Sequence, residues 1–99
     1  MATKRVEKYQ IVRTDRAGVF AGIVVSRKGT ETEMRLVRRI WYWTGAASLS
    51  QLAMEGTKTP QTCKFSMVVT HEVLLGTIEI LDVTSRAQLS IGGVPEWKI

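Results

Sequence analysis

The reactive side chains of this 99-residue sequence are few, and each one is poorly placed for chemistry. His71 is the single histidine and Cys63 the single cysteine. A general base needs a partner that orients it, and the sequence offers His71 only its neighbour Glu72. A lone histidine at a strand end is most simply a polar surface residue. Cys63 opens an apolar strand face that continues with Phe65 and Met67. That setting predicts a buried small hydrophobe, whereas a nucleophilic thiolate wants a cation or a helix terminus beside it. One histidine, one cysteine and scattered acids give no metal-ligand spacing. Gly18 to Gly22 and Gly92-Gly93 lack the Lys-Ser/Thr pair of a phosphate loop. No catalytic residue, metal ligand or cofactor is assigned, and an enzyme is the least supported reading.

Binding chemistry is concentrated in one stretch, Arg38 to Leu52 (RRIWYWTGAASLSQL). Alternation along a strand puts Arg35, Val37, Arg39, Trp41 and Trp43 on one face, and Met34, Leu36, Arg38, Ile40 and Tyr42 on the other. The second face is expected to point into the core, where Arg38 needs a buried partner. On the first face, Arg39 can grip a phosphate in a bidentate fork, and Trp41 and Trp43 can stack on a base. Arg13, on an earlier strand, is the further cation of this binding set. Ser48 marks a helix start whose free N–H groups are a candidate anion site. The competing reading makes both tryptophans core or subunit-interface residues, since Trp, Tyr and Arg dominate interface hot spots. Three tryptophans are hard to cover in so small a chain, so self-association is expected ahead of ligand contact.

These residues need elements to hold them. Val6 to Thr14 reads as a strand, Asp15 to Gly18 as a turn, and Val19 to Ser26 as a second strand, apolar on both faces and therefore central. Gly22 in its middle predicts a bulge or a close backbone approach. A hairpin turn at Ser26 to Thr30 leads into a long strand, Thr32 to Trp43, which is expected to bend or bulge partway. Ser48 with Gln51 predicts a capping box, Leu49, Leu52 and Ala53 the buried side of a two-turn helix, and Gly56 its end. Pro60 sits in a loop. Cys63 to Thr70 reads as a strand with Cys63, Phe65, Met67 and Val69 on one side, followed by an irregular run to Gly76. Thr77 to Val83 is a last strand, and Ser85 with Gln88 starts a second helix ending at Gly92-Gly93. Trp97 in the extended tail is expected to tuck onto the domain. The order β-β-β-α-β-β-α, with tight turns between the first strands, predicts an α+β fold on a mainly antiparallel sheet of about five strands.

Composition sets outer bounds. A chain of this length is one domain, residues 1–99, with 1–5 as a frayed end. Hydrophobic residues are 44% and charged residues 23%, ordinary for a folded protein. No apolar run approaches the roughly 20 residues of a membrane-spanning helix. No signal core follows the basic amino terminus, and the lone cysteine cannot form an internal disulfide. A cytoplasmic location is expected. The net charge of +5 is uneven: residues 1–39 hold ten Lys/Arg against four Asp/Glu, residues 40–99 four against five. The basic half raises the prospect of an anionic partner, although it also suits a merely solvated surface.

The run Arg38 to Trp43 with Gly45-Ala46, Ser48-Leu49, Gln51 to Ala53, Glu55-Gly56, Pro60 and Cys63 to Phe65 resembles a family of small phage and prophage proteins of unknown function. Val12 to Thr14, Ala17 to Gly22 and Ile78 to Ile80 fit as well, so the likeness covers most of residues 9–97. It implies an origin in a phage accessory region and supplies no catalytic residues. The leading expectation is a non-enzymatic homo-oligomer whose Arg/Trp surface binds an anionic partner, such as a host nucleotide signal, or a host protein. Two alternatives stand beside it: a virion or assembly protein whose tryptophans form an interface, and a nucleic-acid-binding protein, for which no module is recognisable.

Overall fold

The first three strands form a meander whose middle member is buried on both faces. β1 (Lys4–Thr14), β2 (Val19–Lys28) and β3 (Glu31–Tyr42) are followed by α1 (Leu49–Glu55), a single 3-10 turn at Pro60–Thr62, β4 (Lys64–Phe65), β5 (Val69–Leu74), β6 (Thr77–Asp82) and α2 (Ser85–Gly92). This computed structural model describes residues 3–99; Met1 and Ala2, part of the expected frayed end, lie outside the described residues. Lys4 and Arg5 of that same end are already in β1, paired with Arg27 and Ser26. The chain is thus an antiparallel six-stranded sheet with two short helices, an α+β fold.

The sheet runs β4-β3-β2-β1-β6, with β5 on the same edge of β3 as β4. β4 and β5 are two halves of one broken strand. Ile40 pairs with Phe65, and Val37 with Val69, while the three residues between step out of register. The sheet is strongly curled. A ten-residue strand such as β2 spans roughly 33 Å when straight, and its two turns stand at opposite ends. Nevertheless Asp15 N, in the first turn, donates to Gly76 O, and Thr77 N donates to Thr30 O, in the second. One connection between β5 and β6 therefore touches both ends of β2.

Bulges allow this bend, since an extra residue on one strand tightens its twist. The β1–β2 register shifts between Arg5 and Lys8, and the β2–β3 register shifts between Ala21 and Ile23 and again between Val24 and Ser26. Glu7 and Leu36 have left-handed φ values of 55° and 48°. At Gly22 an added Cβ would lie 2.7 Å from Val37 Cα and 3.0 Å from Leu36 O, so both a bulge and a close approach occur there.

Curling gives two cores. Val12, Phe20, Val24, Met34, Val37 and Leu74 pack together inside the curl. Ile11, Ala21, Ile40 and Phe65 point the other way and meet Leu52 and Ala53 of α1 and Ile91 of α2. The bulge at Leu36 corrects the expected alternation. Leu36 is turned outward and exposed, whereas Val37 becomes fully buried; beyond the bulge Arg38 and Ile40 face inward as expected. Tyr42 is also exposed, because β3 ends there. On the expected Cys63–Val69 face, Cys63 and Phe65 are buried but Met67 and Val69 are exposed, for the strand breaks after Phe65.

The helix ends follow the side-chain chemistry closely. Ser48 Oγ accepts from Gln51 N at 3.1 Å, and Gln51 Oε1 accepts from Ala47 N rather than from Ser48 N. Thr84 caps α2 through Ala87 N, one residue before the expected Ser85. Arg38 finds its buried partners in the backbone rather than in a carboxylate. Its Nε donates to Ser66 O at 3.0 Å, and its Nη1 donates to Ile91 O and Val94 O at 3.0 and 2.9 Å. A cation at the carbonyl end of α2 also suits the helix dipole. Arg38 thereby fastens α2 and the tail to the sheet.

Candidate functional site

The end of β3 and the β1–β2 turn enclose the groove that brings the conspicuous residues together. Arg39, Ile40, Trp41 and Trp43 line it from one side, and Ala17, Gly18 and Val19 from the other. Its volume of about 420 Å³ lies in the range of small-ligand sites. Arg39 is opposite Phe20 across the β2–β3 ladder, and its guanidinium carbon stands 4.8 Å from the centre of that ring. Arg39 is exposed, and no carboxylate among the described residues forms an ion pair with it. Four other cations are tied to carboxylates: Arg13 to Glu79 at 2.9 Å, Arg5 and Arg35 to Glu7, and Lys98 to Glu96.

Trp43 is half-buried and packs on the helix-side core. Just past it, Thr44 carries a network of hydroxyl contacts. Thr44 Oγ1 meets Thr59 Oγ1 at 2.7 Å and also Thr62 Oγ1, and Thr57 Oγ1 donates to Thr44 O at 2.6 Å. Gly45 has φ 78°, and a Cβ there would lie 2.6 Å from Thr57 Oγ1 and Thr59 N. The 57–62 loop is therefore clamped to the end of β3, and this holds Trp43 in place. Cys63 belongs to the same clamp, accepting from Thr44 N at 3.5 Å, and is buried.

Trp41 is 65% exposed, an unusual position for an indole in so small a protein. It stacks on Trp97, with centroids 6.3 Å apart and planes 18° from parallel. Trp97 is held by a backbone bond, its N donating to Phe65 O at 2.8 Å, and Lys64 Nζ lies 5.3 Å from its ring. The tail does tuck onto the domain, but through a single parallel bridge between Glu96 and Phe65 of β4 and with Trp97 itself half-exposed. Glu96 steadies it, accepting from Val68 N. That bond, with Lys98 nearby, holds its carboxyl below the usual range. Sequence patterning missed Trp97 as a neighbour of Trp41, because only the parallel pairing of Phe65 and Glu96 brings them together.

The remaining candidates lie apart from the groove lining. Arg13 is in its ion pair on β1 and β6. Ser48 caps a helix of seven residues and uses its hydroxyl on that helix's own N–H. His71 Nε2 lies 2.8 Å from Glu33 Oε2 on the exposed face of β3 and β5. That contact and a hydrogen bond from Ser26 lower the Glu33 pKa. Among the described residues no group of three or more His, Cys, Asp or Glu side chains is arranged to hold a metal ion. No helix among them is long and apolar enough to cross a membrane.

A family model described as a domain of unknown function, DUF6948, matches residues 7–91. The chain belongs to the DUF6948 family. No curated protein and no solved structure is significantly similar to it. All seven groove residues fall inside the DUF6948 match, whereas Trp97, which stacks on Trp41, lies beyond its end.

Proposed function

We propose that this DUF6948 chain is a non-enzymatic phage accessory protein that binds an anionic, aromatic partner, foremost a nucleotide, in the Arg39–Trp41–Trp43 groove. The observation that carries the reading is the Arg39 guanidinium, free of any acidic partner among the described residues and flanked by two indoles in one groove. The phosphate takes the arginine fork and the base lies against an indole. A charge-assisted hydrogen bond contributes about 1.5–3 kcal/mol and a stacked base about 1–3 kcal/mol. The sum, about 6 kcal/mol at most before ordering costs, corresponds to a Kd of tens of micromolar or weaker. A host nucleotide signal sequestered in the cytoplasm fits this chemistry.

Tryptophan fluorescence titrated with cyclic and linear nucleotides, then with single-stranded DNA, tests it. Quenching is expected, with Arg39→Ala and Trp41→Ala each weakening binding tenfold or more. Silence towards every nucleotide and towards DNA sinks the reading. Binding to DNA alone, falling steeply with salt, would favour the nucleic-acid alternative.

The exposed Trp41–Trp97 stack favours a second reading. A homo-oligomeric virion or assembly protein, or one that blocks a host protein, would bury those two rings at an interface.

A further inference from the structure

We propose that the free edge of β5 is a self-association surface, on which a second copy of this chain adds its own β5 antiparallel about a twofold axis at His71. β5 is paired along one side with β3, and no strand among the described residues pairs with its other side. Such an edge is normally protected by lysine, proline or a bulge, because its open row of N–H and C=O groups recruits another strand. Met67 to Leu75 contains no Lys, Arg or Pro. Met67, Val69, Val73 and Leu75, at alternate positions with His71 between them, are all exposed. The other edge is better covered. β6 begins pinned to the β2–β3 turn through Thr77 N and Thr30 O, and its six residues include two carboxylates, Glu79 and Asp82, which disfavour a second strand.

Charge identifies the occupant. Two copies of a +5 chain repel unless they meet where the positive charge is missing. Residues 65–85 carry none of the 14 Lys/Arg, and Arg35, the cation beside His71 on β3, faces Glu7 at 4.0 Å. β5 is also its own complement. With His71 on the axis, Val69 stands opposite Val73 of the second copy, Met67 opposite Leu75, and Thr70 opposite Glu72. A register centred on Glu72 would oppose two carboxylates, and one centred on Thr70 would set Val68 against Glu72. Self-pairing of one edge is isologous and closes without further growth. None of the groove residues belongs to β5, so this surface stands or falls independently of the nucleotide reading.

Light scattering on the full chain should give twice the 11.1 kDa chain mass. Val73→Lys and Leu75→Lys should each halve it, and Leu89→Lys, at an exposed position of α2, should leave it unchanged. His71→Cys should cross-link to a disulfide dimer under mild oxidation, and Val73→Cys should not. The cross-link decides the matter if a lysine variant fails to fold. A wild-type monomer at high concentration overturns the proposal. So does a dimer indifferent to both lysines, or one that Trp97→Ala dissociates instead.

Discussion

At the scale of single residues, the two least expected side chains are neighbours in the helix-side core. Arg38 is buried with backbone carbonyls as its hydrogen-bond partners, and desolvation lowers its pKa despite the nearby Tyr9 and Glu96. Burial pushes the Tyr9 phenol up to about 12, even though the Arg38 charge pulls it down. The sign for stability follows from linkage. An unfolded tyrosine ionises near pH 10, while the folded one keeps its proton to about 12. The folded state binds more protons in that window, so stability falls as pH rises through it. Two pKa units correspond to about 2–3 kcal/mol at most. Urea unfolding of wild type and Tyr9→Phe, measured from pH 8 to about pH 12, should show this extra loss only in wild type. Parallel curves would mean that Tyr9 is more solvated than its packing implies. The sequence announced that Arg38 faces inward, but its partners could not be read there. Ser66, Ile91 and Val94 meet it only after the chain has folded back.

At the scale of elements, local chemistry was legible and long-range closure was not. Ser48, Gly56 and the first turn are set by residues within a few positions of each other, and they came out where expected. The second turn, expected over Ser26 to Thr30, tightens to Gly29-Thr30 because β2 runs on to Lys28. Alternation along β3 held until Leu36, where a left-handed residue shifted the phase. Hence Val37 is buried and Leu36 exposed, the reverse of simple period-two reading. The groove was half legible: Arg39, Trp41 and Trp43 share it, but Ala17 and Gly18 reach it only through the β2–β3 ladder. Gly22 was the one written sign of the bulge. Its replacement by alanine drives a Cβ against the Val37 and Leu36 backbone, which has no side-chain end to yield. Overpacking of this kind costs about 1–3 kcal/mol or more. Gly22→Ala should therefore lower the urea midpoint markedly, and should also weaken any ligand of the groove, since Arg39 is held by the same ladder. A variant as stable as wild type would mean that the two strands can part without cost.

At the scale of the whole molecule, the question is whether two cores make one cooperative unit. The inner core and the helix-side core draw alternate residues from the same strands: Ile11 and Val12, Phe20 and Ala21. Neither can be lost without releasing the backbone that supports the other. Arg38 adds a second tie, since it joins β3 to α2 and to the tail that carries Trp97. The β5–β6 connection adds a third by bonding to both turns of the meander. Local opening would need a segment with few such ties, and the helices, each under nine residues, are too short to persist without the sheet. A single unfolding transition is therefore expected. Far-ultraviolet circular dichroism follows the sheet, and tryptophan fluorescence follows Trp43 on the helix-side core together with the Trp41–Trp97 pair. The two urea curves should superimpose. If fluorescence changed first while the sheet signal stayed native, α2 and the tail would form a separate, weaker unit. The Arg38 tie would then be worth less than its three hydrogen bonds suggest, and Arg38→Lys, which has no fork to span those carbonyls, would leave the midpoint where it was.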